Sequence, residues 1–229
     1  MKSQEKAEKI IHIFDNSFKP RWVRYIEVLK SNLNKSSIWI DCGCGENEYV
    51  KEFGTLAGKA IGLDVFEPHD KVTPFIAAPV NKLPFENNTI DFATLRFVAE
   101  HLPNPDSDLN EIERVLKPGG RLIVLTTNVH NPVIALARLL PYRFKKKLIT
   151  KIFKVEDEDI FPTYHNFNTP KAFNKKYGKL SPIHIEYISD INRTNNFFFV
   201  LYLLWHLFTT PKFINRFRSN ILAVYGKTN

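Results

Sequence analysis

The chain has 229 residues and a formal net charge of +8, with 44% apolar and 24% charged residues. That length fits one domain, residues 1–229, with a substantial core and the composition of a soluble globular protein. Cys42 and Cys44 stand two positions apart, which excludes a four-cysteine zinc site and disfavours a disulfide; we predict no metal site. Residues 1–13 lack the continuous apolar core of a secretory signal, so we expect a cytoplasmic protein.

Basic residues concentrate in the last part of the chain. Residues 1–130 hold 16 Lys and Arg against 18 Asp and Glu, a net of −2, and residues 131–229 hold 16 against 6, a net of +10. Such an excess indicates an anionic partner, such as a nucleic acid, a phosphorylated substrate or a membrane surface, or else a solvated basic face.

Two helices are predicted before the first strand. Residues 3–14 place Ile10, Ile11 and Phe14 on one side of a helix, and the apolar residues of 22–29 continue at helical spacing.

The stretch 38–50, with the sequence IWIDCGCGENEYV, predicts a buried strand, a glycine turn and the start of a helix. This is the first unit of a ligand-binding α/β sheet, in which Gly43 and Gly45 permit a sharp turn and close approach of a ligand. Glu48 stands where a dinucleotide fingerprint has its third glycine, and Asp41 would repel a pyrophosphate. The carboxylate suits an ammonium or a sulfonium, and S-adenosylmethionine (SAM) carries both; the alternative is an ordinary strand-to-helix turn.

Two more strands are predicted next. Ala60–Leu63 ends at Asp64, whose position 19 residues beyond Gly45 suits hydrogen bonds from ribose hydroxyls, the alternative being a surface carboxylate. Val72–Ala78 contains Pro74, which indicates a strand near the sheet edge.

The fourth strand is predicted at Ile90–Leu95, with Arg96 at the end where open α/β sheets bind ligands. A helix starts within Phe97–Leu102, an amphipathic helix follows at Leu109–Leu116, and the fifth strand is Arg121–Thr126. The alternation of strands and helices predicts an α/β fold with a doubly wound, mostly parallel sheet.

Residues 127–180 are predicted to form a cap over the 38–127 core. The cap contains a helix at Pro132–Leu140 and a basic amphipathic segment at 143–154, which is suited to an anionic surface or is a plain surface helix. Ile183–Ile188 and Ile221–Tyr225 are the last predicted strands.

A helical insertion is predicted at 190–218, between the last two strands. Its run FFFVLYLLWHLF, residues 197–208, is apolar apart from His206 and is too short for a bilayer, which takes about 20 residues. We expect a buried helix; the alternative is a helix at a membrane surface, because Lys212, Arg216 and Arg218 follow the aromatic run.

Four stretches carry a resemblance to a known family: IWIDCGCGENEYV (38–50), IGLDVFE (61–67), KLPFENNTIDFATLRFVAEHL (82–102) and EIERVLKPGGRLIVLTT (111–127). In order and spacing they resemble the class I SAM-dependent methyltransferases, above all the branch that acts on small molecules, lipids and glycans. The resemblance implies a seven-stranded Rossmann-like sheet closed by an antiparallel pair, with N-terminal helices over the SAM pocket. The chain departs from the family at Asn47, usually a third glycine, and at Pro79, where an acidic residue is common.

The resemblance also implies which residues form the site. The loop after the third strand would lie against adenine, which adds Val80 to the predicted cofactor contacts. Tyr164 and His165, just before the N-T-P helix start, would face the acceptor. The predicted cofactor-binding residues are Asp41, Gly43, Gly45, Asp64, Val80 and Arg96.

Two histidines are predicted as catalytic residues. A hydroxyl acceptor loses its proton to a base, and histidine suits that task near neutral pH. His101 follows the fourth strand and His165 lies in the cap. The alternatives are helix packing for His101 and a backbone hydrogen bond for His165.

We therefore predict a SAM-dependent methyltransferase that methylates a small-molecule, lipid-linked or glycan acceptor at oxygen, near the inner face of a membrane. The alternatives are a non-catalytic SAM-fold protein at an anionic membrane surface and an NAD-dependent oxidoreductase. The sequence ATLRF, at 93–97, replaces the N/D-P-P-Y/F signature of enzymes that methylate bases or glutamine. Few aromatics interleave with the basic runs, so nucleic acid is not an expected partner. No oligomeric state is predicted.

Overall fold

A computed structural model describes residues 2–69, 74–139, 162–191 and 196–229. Seven strands form one sheet in the order β3-β2-β1-β4-β5-β7-β6. The first five strands run parallel, and β7 lies antiparallel between β5 and β6. The strands are β1 Ile38–Cys42, β2 Lys59–Asp64, β3 Phe75–Ala77, β4 Ile90–Arg96, β5 Leu116–Thr127, β6 Leu180–Ile188 and β7 Asn220–Lys227. The predicted seven-stranded, mostly parallel α/β fold with an antiparallel closing pair is confirmed.

Helices cover both faces of this sheet. In the described part of the chain, three short 3₁₀ turns, Gly54–Leu56, Ala99–His101 and Asn215–Phe217, lie between the regular elements. The α-helices found there are α1 Lys2–Phe14, α2 Arg21–Asn32, α3 Glu48–Phe53, α4 Pro105–Val115, α5 Pro132–Arg138, α6 Pro170–Phe173 and α7 Asn196–Phe208.

The core lies in two layers because neighbouring residues of a strand point to opposite faces. On β1, Trp39 packs in a cluster with Tyr25 of α2. The next residue, Ile40, packs in the other cluster with Leu109 and Ile112 of α4. All five side chains are buried, so β1 is the strand around which both layers assemble.

The strand order also fixes where a ligand binds. β1 pairs with β2 on one side and with β4 on the other, so Asp41 lies opposite Gly62 and Thr94. The chain builds outward from β1 to β3 and then returns to β4 on the other side of β1. A crevice opens at the carboxyl ends of the strands where the order reverses in this way.

Helix predictions near the fourth strand are partly wrong. The helix predicted to start within Phe97–Leu102 is a single 3₁₀ turn, Ala99–His101, because Pro103 and Pro105 disfavour a continuous α-helix there. The α-helix starts instead at Pro105, where the Asn104 side chain caps it by accepting a hydrogen bond from Ser107 N at 3.5 Å.

Strand predictions were right in position and wrong in extent. The third strand is confined to Phe75–Ala77, and residues 72 and 73 lie outside the described ranges. The fifth strand starts at Leu116, earlier than predicted, because Leu116 already pairs with Ile90 of β4. The register then shifts, and the next pair is Phe92↔Arg121. The proline and glycines between them form a bulge within the strand.

Parts of the predicted cap lie outside the described residues. The basic segment 143–154 lies outside the described residues, as does Leu140 at the end of the predicted helix. Within the described residues of 127–180, α5 and α6 are present. Thr169 caps α6 by accepting a hydrogen bond from Ala172 N at 3.1 Å.

The expectation that residues 197–208 form a buried helix is wrong. The run is helical, as α7, but only Leu203 and His206 are buried. α7 lies outside the two core layers and packs one side against α1, while large side chains on its other side are exposed. Within the described ranges, no helix has the length and apolar character to cross a membrane.

Candidate active site

The glycine turn after β1 requires its two glycines for different reasons. Gly43 has φ +72°, and a Cβ there would overlap the side chain of Val98. At Gly45 the reason is the backbone alone: its φ of +55° favours glycine, although no atom lies near the position that a Cβ would take. The turn is fastened by the amides of Gly43 and Cys44, which both donate to the Leu63 carbonyl, at 2.7 and 3.0 Å. The backbone is thereby held open toward the crevice, which suits close approach of a ligand.

Asn47 stands where the family usually has a third glycine, and it adopts a backbone conformation that glycine also adopts readily. It has φ +58° and precedes α3, and asparagine tolerates this left-handed conformation better than most residues do. Its side-chain amide donates to the Pro74 carbonyl at 3.3 Å. A Cβ at Gly62 would overlap the Asn47 amide, so the glycine in β2 makes room for it.

Asp41 is a buried carboxylate at the end of the central strand, with 1% of its surface exposed. Trp39 Nε1 donates to Thr94 Oγ1 at 2.9 Å, and Thr94 Oγ1 donates to Asp41 Oδ1 at 2.5 Å. Asp41 Oδ2 has no hydrogen-bond partner in the described part of the chain. Burial raises the pKa of Asp41 to about 6, against the opposing effects of Thr94 and Arg96.

Arg96 lies beside this carboxylate rather than in the open crevice. Its guanidinium carbon is 4.1 Å from the ring centroid of Tyr49, and its Nε has no partner among the described residues. Asp41 and Arg96 thus present unlike charges, each with an unpaired polar atom. An ammonium and a carboxylate on one ligand, such as the methionine end of SAM, would satisfy both. Tyr25 is buried close by, and burial and Asp41 raise its pKa.

Asp64 ends β2 and is held against the glycine turn. Its Oδ2 accepts a hydrogen bond from Gly45 N at 2.9 Å, and its Oδ1 accepts one from Phe66 N at 3.2 Å. Each carboxylate oxygen has a second lone pair. Since Asp64 lines the adjoining cavity, ribose hydroxyls can donate to it there.

A cavity of about 490 Å³ lies along this edge of the sheet, within the usual size of small-molecule sites. Its walls are largely apolar, with Val65, Phe66, Val98 and Leu102 among them. The structure brings six predicted site residues into these walls: Gly43, Gly45, Asp64, Val80, His101 and Tyr164. Asp41, Arg96 and His165 are not lining residues.

The predicted acceptor residues lie at one end of the cavity. His101 Nδ1 is 2.8 Å from the Pro162 carbonyl, and Tyr164 N donates to the Glu100 carbonyl at 2.9 Å. The loop before α6 is therefore fastened to the turn after β4. His165 has φ +59°, and its Nδ1 is 3.0 Å from the Asn168 amide, outside the cavity wall.

Two further residues that line the cavity, Phe97 and Asp108, and the neighbouring Glu100 had no sequence signal. Phe97 lines the cavity with φ +56°, a strained conformation for an aromatic residue of the kind that clusters at functional sites. Glu100 is buried and accepts a hydrogen bond from Thr126 Oγ1 at 2.5 Å. Asp108 lines the cavity with 3% exposure, and its Oδ2 has no partner among the described residues. Burial raises the pKa of Asp108.

Replacing Asp41 by asparagine tests the burial of its charge. Because the folded state holds the Asp41 pKa near 6 instead of 3.8, folding costs free energy once the carboxylate ionises. Asp41→Asn should therefore be more stable than the parent above pH 6, by up to about 3 kcal/mol. The gain should shrink as pH falls toward 4 and vanish below it. Urea unfolding at several pH values measures this.

The matched control is Asp106→Asn, because Asp106 is exposed and its ion-pair partner within the described ranges is the exposed Lys175. That variant should differ from the parent by less than about 0.5 kcal/mol. A stability gain for Asp41→Asn that is equal at pH 4 and pH 8 would contradict the raised pKa.

Comparison with known proteins agrees with the sequence resemblance. Residues 40–124 match the model of a methyltransferase domain family. An uncharacterized protein of Methanocaldococcus jannaschii is 25% identical over 210 residues, 84% of this chain and 80% of that protein. A demethylmenaquinone methyltransferase of Staphylococcus carnosus is 28% identical over 186 residues, 69% of this chain and 77% of that protein.

The fold also matches a solved methyltransferase. The geranyl diphosphate C-methyltransferase of Streptomyces coelicolor, in complex with S-adenosyl-L-homocysteine, aligns with a TM-score of 0.56 at 14% identity. The alignment covers 90% of this chain and 77% of that one. The matched segment contains the glycine turn, Asp64 and the strands that position them, so the NAD-dependent alternative loses its support. Residues 40–124 therefore form a methyltransferase domain of the SAM-dependent class I type, with SAM as its cofactor.

Proposed function

We propose that the protein transfers the methyl group of SAM to a small, largely apolar acceptor, at oxygen. The observation that carries the proposal is the single cavity that the glycine turn and Asp64 share with His101 and Tyr164. A cofactor held at one end would present its methyl group toward the other. The apolar walls favour a lipid-like acceptor over a glycan, whose hydroxyls need polar partners.

Residues of the turn and of two strand ends would hold the cofactor. Asp64 would accept hydrogen bonds from the ribose hydroxyls, Asp41 would attract the ammonium group and Val80 would pack on the adenine. SAM supplies a methyl group on a positively charged sulfur, which leaves as a neutral thioether. The protein's own contribution is chiefly to align the acceptor with that methyl group and to exclude water.

Asp108 is well placed to recognise the adenine amino group. Leu83 N donates to Glu111 Oε1 at 2.8 Å, so α4 lies along the loop that leaves β3. Asp108 is one turn before Glu111 on the same helix face and so meets the start of that loop. Pro79 leaves this loop without the family's usual acidic residue. The unpaired Asp108 Oδ2 is a buried acceptor that the adenine amino hydrogen would satisfy.

A nucleobase analogue tests this role of Asp108. S-inosylhomocysteine carries a carbonyl where S-adenosylhomocysteine carries the amino group, so its oxygen would face the carboxylate. The wild-type protein should bind the adenosyl compound at least about tenfold more tightly. Asp108→Asn should lose that preference, because its amide can donate to the carbonyl. Calorimetric titration of both ligands measures it, and an unchanged preference in the variant would contradict the assignment.

His101 is the residue that we propose as base. Its Nδ1 faces the Pro162 carbonyl, which accepts hydrogen bonds only, so Nδ1 carries the proton in the neutral ring. Nε2 is then the nitrogen that can take a proton from an acceptor hydroxyl. Tyr164, which is exposed at the same end of the cavity, would contact the acceptor.

Carbon methylation is a second candidate, which the relatives favour. Among them are proteins described as demethylmenaquinone methyltransferase, sterol 4-C-methyltransferase and geranyl diphosphate C-methyltransferase. Such acceptors are apolar, which agrees with the cavity walls. His101 could take the proton from an acidic C–H group of the acceptor as well as from a hydroxyl. The site of the methyl group in the product separates the two.

Activity is tested with methyl-labelled SAM and a lipid extract of cells that carry the protein. We expect one labelled product, whose structure gives the acceptor and the methylated atom. His101→Ala should lower its rate of formation by about 100-fold while S-adenosylhomocysteine binds as before. His165→Ala, the matched control outside the cavity wall, should stay within a few-fold of the parent.

Two results would overturn the assignment. Equal rates for His101→Ala and the parent would remove the proposed base. Tight S-adenosylhomocysteine binding without a labelled product in lipid or aqueous extracts would favour the non-catalytic SAM-binding alternative.

A further inference from the structure

One side of α7 presents a broad apolar surface to solvent. Six large side chains on it are exposed, from 45% to 68% of their surface. At 100° per residue they cover nearly half of the helix circumference. Phe213, shortly after the helix, is 79% exposed. We call this surface the α7 face: Phe197, Phe198, Val200, Leu201, Leu204 and Phe208.

The opposite side of α7 is firmly packed, so the α7 face belongs to a fixed element. Leu203 forms a buried cluster with Ile11 and Phe18 of the N-terminal segment. His206 is buried and its Nε2 is 2.9 Å from Asp15 Oδ2. A large contiguous apolar surface that is exposed on a packed element usually marks an interaction site.

The charged residues in the segment that contains α7 are all basic. Residues 196–219 contain no Asp or Glu and include Lys212, Arg216 and Arg218. Lys212 and Arg216 are exposed. Apolar and aromatic side chains with flanking cations are typical of helices that lie in the interface of an anionic membrane.

The α7 face lies at the same edge of the sheet as the active-site cavity. Thr127, the last residue of β5, pairs with Asn220, the first residue of β7, and the α7 insertion directly precedes Asn220. Arg21 joins the two regions: its Nη1 is 2.8 Å from Asp190 Oδ2, and its guanidinium carbon is 4.9 Å from the Phe97 ring centroid. Phe97 in turn lines the cavity.

We propose that the α7 face docks on an anionic lipid bilayer. A helix of 13 residues is about 20 Å long, against about 30 Å of hydrocarbon, so it would lie along the surface rather than cross it. A second copy of this chain is a poorer occupant, since a symmetric pair would bring like charges of Lys212 and Arg216 together. Docking would bring the cavity edge toward the lipid, from which an apolar acceptor could enter; that consequence rests on the proposed function.

Co-sedimentation of the full chain with lipid vesicles tests the docking. The vesicles are phosphatidylcholine alone or phosphatidylcholine mixed with phosphatidylglycerol. We expect binding to the mixed vesicles that weakens in high salt and on pure phosphatidylcholine. Leu204→Ser/Phe208→Ser should weaken the affinity for the mixed vesicles roughly tenfold. Lys212→Ser/Arg216→Ser should remove most of the preference for the anionic lipid.

The matched control is Leu56→Ser/Ile183→Ser, which changes two exposed apolar residues toward the opposite edge of the sheet. It should bind vesicles as the parent does. All variants should bind S-adenosylhomocysteine like the parent. If the parent itself failed to bind this ligand, that result would count against the proposed function, whereas the vesicle experiment would still test docking.

Three outcomes would overturn the docking proposal. One is a parent protein that stays in solution with both vesicle types. Another is equal binding by Leu204→Ser/Phe208→Ser and the parent. The third is a concentration-dependent dimer that this double substitution abolishes, which would assign the α7 face to a second copy of the chain.

Discussion

The site depends on a carboxylate kept from water at the end of the central strand. Asp41 is fixed by a chain of hydrogen bonds from Trp39 through Thr94, which orders its Oδ1, and its Oδ2 has no hydrogen-bond partner among the residues that the structure describes. An unpaired buried carboxylate costs stability, and a protein retains such a cost where a ligand offsets it. Gly43, Gly45 and Asp64 surround it with a turn and a second carboxylate, and in the proposed function one acid would attract a cation and the other would bind a sugar.

Most of the fold could be predicted because its signals are local. A buried β-prone run followed by glycines predicts β1 and its turn, and the spacing from Gly45 to Asp64 predicts the second acid. Asn47 shows why a departure from the family pattern left this turn intact: asparagine adopts the same left-handed backbone as glycine. Backbone requirements of this kind are properties of single residues, so the sequence contains them.

The remainder depends on contacts between distant segments. Asp108 looks like an ordinary first-turn acid of a helix, and only the packing of α4 along the loop after β3 makes it a wall of the cavity. His165 follows Tyr164 in sequence, yet its left-handed backbone turns its ring toward Asn168. The hydrophobicity of α7 predicted burial, but this helix, inserted between β6 and β7, packs one side on the N-terminal segment and leaves large side chains of its other side exposed. Hydrophobic content alone does not distinguish a core helix from one that contacts something outside the chain.

The central claim is that Asp64 and the glycine turn hold SAM at this edge, with Asp41 behind them. Calorimetric titration of the full chain with S-adenosyl-L-homocysteine tests it most directly. We predict one binding site per chain, no heat with NAD, and a loss of at least about tenfold in affinity for Asp64→Asn, which removes charge-assisted hydrogen bonds to the ribose. Absence of heat with the parent protein, or equal affinity in the variant, would contradict the account.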